Sequence, residues 1–122
     1  MKKLICHCGE VELEIKESEG VLNKFLRCNC TLCKKKGYIM TFAPITDVKI
    51  KKGEDKLKLY QYHTIVAEHY FCLECGIYTH HKMRSRPDTF GLNVGCIDDI
   101  DQFKLENVGL NDGQNHPMDQ KN

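Results

Sequence analysis

Seven of the eight cysteines fall in three short clusters: Cys6-His7-Cys8, Cys28-Asn29-Cys30-Thr31-Leu32-Cys33 and Cys72-Leu73-Glu74-Cys75. Thiols separated by one or two residues are how a backbone wraps a tetrahedral metal ion. Cys6, Cys8, Cys72 and Cys75 form two pairs, and each pair is followed by a glycine, Gly9 or Gly76. Brought together, two such pairs make a closed four-thiolate site of the structural zinc kind. Cys28, Cys30 and Cys33 then remain as a local triad. One loop with that spacing can cover one face of an ion and leave the other open, as a catalytic zinc requires. The competing arrangement closes the triad with a fourth ligand, either Cys96 or one of His63, His69, His80 and His81. Cys96 stands alone in Gly95-Cys96-Ile97, a setting more typical of a packed thiol than of a ligand.

An open site of three thiolates on a divalent cation carries an inner-shell charge of −1. That electron density makes the metal a weaker Lewis acid than a site of three histidines would. It suits a soft fourth ligand, and a thiol bound there is deprotonated and nucleophilic. The expected chemistry is therefore that of a thiol held as thiolate, rather than hydrolysis.

The elements that must carry these clusters read as mainly β, with one or two short helical turns. Val11 to Ile15 alternates apolar and charged residues, the pattern of a half-buried strand. A strand from Val21 to Arg27 delivers Cys28, and Thr31 to Lys36 makes a helical turn, capped by Thr31 and ended by Gly37. Further strands are expected at residues 38–42, 48–51, 57–62, 64–71, 77–80 and 90–94, with a short last one at 103–105. From Gly109 the chain is rich in Asn, Asp, Gly and Gln, and a flexible tail is expected over residues 109–122 after a single domain of residues 1–108.

Composition narrows the function. A formal net charge of +1 gives no global field for nucleic acid or anionic lipid. No long apolar run suggests a membrane span, and Met1-Lys2-Lys3 has no apolar segment behind it to make a signal peptide. A cytoplasmic setting is expected. There the cysteines stay reduced, which favours metal sites over a disulfide framework.

In this order the three clusters resemble the glutathione-dependent formaldehyde-activating enzyme family. The likeness extends to Arg84-Ser85-Arg86-Pro87-Asp88 and to Gly91 through Asp98, and runs from about residue 5 to residue 101. The resemblance implies an Mss4-like, zinc-stapled β-sandwich with two zinc ions per chain. It implies a structural zinc on Cys6, Cys8, Cys72 and Cys75, a catalytic zinc on Cys28, Cys30 and Cys33, and no ligand role for Cys96. It further implies a carbon–sulfur lyase that joins formaldehyde to glutathione as S-hydroxymethylglutathione. Relatives of this family include a centromere-associated protein, so the substrate transfers less directly than the fold.

Around the triad, Lys34-Lys35-Lys36, Arg84 and Arg86 could hold the carboxylates of a glutathione-like thiol, or be solvated surface charges. His80 and His81 are adjacent on a strand, so only one can face the site, as a proton shuttle or a partner to a ligand. Tyr38 and Phe42 could wall a pocket or pack in the core. Two other classes of function compete with the enzyme: a zinc-ribbon binding module, and a redox or metal sensor built on the triad's thiols.

Overall fold

The computed structural model describes residues 1–18, 21–62, 67–83 and 85–111. The chain is mainly β, in two sheets. The smaller contains β1 (Lys2–Ile5), β2 (Glu12–Ile15) and β5 (Val48–Lys52), in the order β1-β2-β5. The larger contains β3 (Phe25–Cys28), β4 (Met40–Pro44), β6 (Leu57–Tyr60), β7 (Glu68–Cys72), β8 (Tyr78–Lys82), β9 (Thr89–Asn93) and β10 (Val108–Asn111). Its order is β10-β3-β4-β9-β8-β7-β6. Among the described residues one α-helix, α1 (Thr31–Lys36), follows β3.

The alternation read at Val11 to Ile15 sets how the sheets meet. Leu13 and Ile15 are fully buried, while Glu12 and Glu14 stay half-exposed. With Leu4 and Val11 they pack against Ala43, Cys72 and Leu92 of the larger sheet, so one apolar layer is shared between the sheets. Each fully buried Leu or Ile contributes roughly 1.5–3 kcal/mol to that layer. A second, smaller cluster of Cys33, Tyr38, Met40 and Tyr78 packs with Phe42 and Leu26. Along β4, Met40 belongs to this second cluster and Ala43 to the shared layer, as the two-residue period of a strand requires. The larger sheet is therefore covered on both faces, and the triad lies on the face away from the smaller sheet.

Several strand expectations shift. β1 forms where no strand was expected, pairing antiparallel with β2. The stretch expected as a strand from Val21 starts instead with a turn at Val21 and Leu22, where Leu22 takes φ 61°, and β3 begins only at Phe25. In place of a strand at 103–105, Gln102–Lys104 forms a 3₁₀ turn, because Asp101 Oδ1 accepts the Phe103 N–H at 3.0 Å. The start of the expected tail is also corrected. Gly109 to Asn111 belong to β10, which pairs parallel with β3 so that Asn111 stands opposite Cys28. Residues 112–122 lie outside the described residues, as do residues 64–66 of the strand expected at 64–71.

Candidate metal centres

Cys6 and Cys8 sit on a tight turn after β1. The Gly9 N–H donates to the Cys6 carbonyl at 3.1 Å, and Gly9 supplies the left-handed φ of 81°. Cys72 ends β7, and the same device recurs: the Gly76 N–H donates to the Cys72 carbonyl at 2.8 Å, with φ 74° at Gly76. These turns bring the four sulfurs within 4.8 Å of one another. The Cys6–Cys8 and Cys8–Cys72 sulfurs lie 3.6 Å apart. Four sulfurs at the zinc–thiolate bond length on a tetrahedron stand about 3.8 Å apart. The donor set and its spacing therefore fit a tetrahedral soft metal. The cluster ties the N-terminus to the β7–β8 hairpin.

The second group is Cys28 at the end of β3, Cys30 before α1 and Cys33 within it, again with all sulfurs within 4.8 Å. The helix cap is Cys30 rather than the expected Thr31: its sulfur accepts the Cys33 N–H at 3.3 Å. The cap thereby fixes two sulfurs on one turn. Gly37, at φ 64°, ends the helix and donates to the Cys33 carbonyl at 3.0 Å. Neighbouring thiols push each other's acidities apart. Hydrogen bonds from Cys28, then from Cys33, hold the Cys30 thiol well below the ordinary range. The Cys33 thiol is driven upward by Cys28, then Cys30, then burial. Three thiols this close favour giving up protons together to a shared cation, because a metal-bound thiol must be deprotonated.

Among the described residues, no fourth His, Cys, Asp or Glu joins the triad. Cys96 stands in neither group, and its thiol donates to the Tyr78 carbonyl at 3.8 Å. His69, His80 and His81 also fall outside both groups. His63 and Arg84 lie outside the described residues. His7 is exposed.

One wall of the triad is aromatic. The Tyr38 hydroxyl lies 3.8 Å from Cys33 Sγ, 3.4 Å from the Tyr78 hydroxyl and 3.2 Å from His81 Nδ1. Of the adjacent histidines, His81 therefore faces the thiols. His80 faces the other way, stacked on Tyr70 and bonded through Nδ1 to Thr79 Oγ1 at 2.8 Å. His81 stacks on His69 with centroids 5.4 Å apart, and His69 packs on Tyr62 at 5.8 Å. His69 Nδ1 is buried with no hydrogen-bond partner among the described residues. Burial, then the Lys36 cation, pushes the His69 imidazole down to about 4, so it is neutral near neutral pH.

Lys34 and Lys35 are exposed, but Lys36 folds back so that its Nζ sits 3.3 Å above the Tyr78 ring. Burial lowers its amine to about 8, against the pull of the Cys33 and Cys30 sulfurs. Arg86 is exposed and lines a separate pocket of about 210 Å³ with Asp47 and Thr89. That pocket lies by Pro44, at the far end of β4 from Met40, which pairs with Leu26 beside the triad. Arg86 is thus not where the anion role beside the thiols would need it. Sequence reasoning offered His69 only as one of several candidate fourth ligands, and it missed Tyr62 and Asn111. The Tyr62 hydroxyl donates to Cys30 Sγ, and Asn111 Nδ2 to Cys28 Sγ, each at 3.6 Å. No local pattern marks either residue.

Comparison with known proteins places this geometry in a group. The family model described as glutathione-dependent formaldehyde-activating enzyme matches residues 1–108. A crystal structure of a Rhodobacter sphaeroides protein is similar, with a TM-score of 0.83 and 38% sequence identity. The match covers 89% of this chain and 99% of that one. No helix among the described residues is long and apolar enough to cross a membrane.

Proposed function

The chain belongs to the glutathione-dependent formaldehyde-activating enzyme family, and on that footing we propose that it is a zinc-dependent carbon–sulfur lyase joining a small thiol such as glutathione to an aldehyde. The observation that carries the reading is the triad of Cys28, Cys30 and Cys33, three converging soft ligands with no fourth among the described residues. Cys6, Cys8, Cys72 and Cys75 would hold a structural zinc, and Cys28, Cys30 and Cys33 a catalytic one. All-sulfur donor sets suit a soft or borderline cation, and zinc is the one that four-thiolate and three-thiolate sites most commonly hold. When bound, that zinc supplies positive charge that keeps a substrate thiol deprotonated or polarises the aldehyde oxygen.

In the synthetic direction the substrate sulfur attacks the carbonyl carbon. The carbon–sulfur bond forms, the π pair moves to oxygen, and the proton lost by the thiol ends on that oxygen. A group that accepts and returns one proton balances the step, and the neutral His69 imidazole with its unpartnered Nδ1 suits it. Lys36 is placed to meet a carboxylate of the thiol substrate. Tyr38, Tyr78 and His81 form a wall that limits water. All eight cysteines are free, which suits the reducing cytoplasm where we place the reaction.

Cobalt-loaded protein tests the reading. Adding glutathione should change the cobalt absorption of the three-thiol site, and Cys30→Ala should abolish turnover while the fold persists. An absorption spectrum indifferent to added thiols would sink the proposal.

A further inference from the structure

Three sulfurs that hold a cation are themselves nucleophiles. An aldehyde brought beside them can be attacked by any of the three as well as by the substrate thiol. Attack by a ligand sulfur would form a carbon–sulfur bond to the protein, place the π pair and a proton on oxygen, and strip a ligand from the metal.

Each of the three sulfurs has its own side-chain hydroxyl or amide partner. Asn111 Nδ2 donates to Cys28 Sγ at 3.6 Å, the Tyr62 hydroxyl to Cys30 Sγ at 3.6 Å, and the Tyr38 hydroxyl lies 3.8 Å from Cys33 Sγ. These partners come from three places: β10, the segment after β6, and the residues before β4. They stand 83, 32 and 5 residues from the sulfurs they meet. The four-thiol group differs. There the donor to Cys6 Sγ is a backbone N–H, from Val11 at 3.3 Å. Backbone donors come with the turns and serve both groups, as the Cys33 N–H does for Cys30 Sγ, whereas the Asn111 and Tyr62 side chains reach the triad only through the tertiary fold.

We propose that Asn111, Tyr62 and Tyr38 are positioning residues that hold the three ligand sulfurs in a hydrogen-bonded, poorly nucleophilic state, so that the aldehyde reacts with the incoming thiol and not with the site. The inference rests on the metal-binding reading of the triad above. A hydrogen bond to a thiolate draws charge from sulfur and lowers its basicity. Nucleophilicity falls with basicity, by about three-fold in rate for each unit of thiol pKa. The three donors are each engaged with a ligand sulfur, so the damping they supply falls on the site's own sulfurs rather than on an incoming one. The Tyr38 hydroxyl donates to the Tyr78 hydroxyl in this structure, and either it or the Cys33 thiol can donate in their contact; once Cys33 is a thiolate it can only accept, so the Tyr38 hydroxyl is the group left to donate to it.

The test uses the zinc-loaded full chain with no substrate thiol. Iodoacetamide is added, zinc release is followed with a chromogenic chelator, and the alkylated cysteines are mapped by peptide mass spectrometry. Tyr62→Phe should speed alkylation at Cys30, and Asn111→Ala at Cys28, each by about three-fold or more. Tyr38→Phe should do the same at Cys33. The increase should be confined to the sulfur that lost its donor, with Cys6, Cys8, Cys72 and Cys75 as internal references. In cobalt-loaded protein the same variants should move the thiolate-to-metal charge-transfer band to lower energy. Equal alkylation rates and an unmoved band, or an increase spread over all seven cysteines, would overturn the inference. Site-confined increases in a protein that turns over no thiol and aldehyde would instead overturn the proposed activity and leave this inference standing.

Discussion

Gly91 on β9 stands directly opposite His81 on β8, and the His81 ring occupies the space a side chain at Gly91 would need. A Cβ there would lie 2.7 Å from His81 Nδ1, the atom that meets the Tyr38 hydroxyl. Gly91→Ala should therefore displace the ring, break the His81–Tyr38 contact and cost about 1–3 kcal/mol. Chemical denaturation measures it. Adding His81→Ala should recover part of the loss, because the two sites share one space.

The two cysteine groups should respond differently to the loss of one thiol. Cys72 is fully buried in the layer between the sheets, and its group joins the chain's start to β7. Cys72→Ser should remove one metal per chain and lower the melting temperature steeply, since binding energy at such a site is folding energy. Cys30→Ser should also remove one metal but leave melting near the parent's. Metal analysis beside thermal melts checks both. An equal loss of stability in the two variants would contradict the division of roles.

Stability should fall as the solution is acidified, in a window set by buried imidazoles. Burial holds His80 down to about 4, whereas the unfolded chain titrates near 6.5. Between those values the unfolded state binds more protons, so the full contribution is present above about pH 6.5 and drains away toward pH 4. For His80 the swing is on the order of 3 kcal/mol. His80 is surrounded by Thr79, Tyr70 and Phe90, so no carboxylate among these neighbours offsets the effect. Metal release at low pH has the same sign. The informative measurement is the difference between parent and His80→Gln, whose unfolding free energy should fall less between pH 7 and pH 5.

Lys36 should be the lysine of the run that matters to substrate. Its Nζ lies over the Tyr78 ring, whereas Lys34 points to solvent. Lys36→Met should raise KM for a carboxylate-bearing thiol about ten-fold, equivalent to about 1.4 kcal/mol, with a smaller effect on kcat. Lys34→Met should change neither. A small thiol without carboxylates should show no difference among the three proteins, and steady-state kinetics with both thiols decides the matter.

The two cysteine groups were legible because their spacing is a local property. A C-x-C or C-x-x-C run beside a glycine encodes its own turn, and Gly9 and Gly76 take the left-handed backbone that such turns use. The two-residue period was equally local: it marked Leu13 and Ile15 as inward-facing, and it required His80 and His81 to point to opposite sides.

What the period left open, the tertiary structure decided. Which histidine faces the thiols depends on how β8 lies between β7 and β9, with Gly91 leaving room for one ring. The polar run after residue 108 read as a tail because its composition alone forms no core. Pairing with β3 makes its first residues a strand and carries Asn111 to Cys28. Tyr62 reaches Cys30 in the same way, across 32 residues. Which thiols gather into a group is written in short-range spacing. The surroundings that set a ligand's reactivity are assembled from segments far apart in the chain, and only strand order and register bring those together.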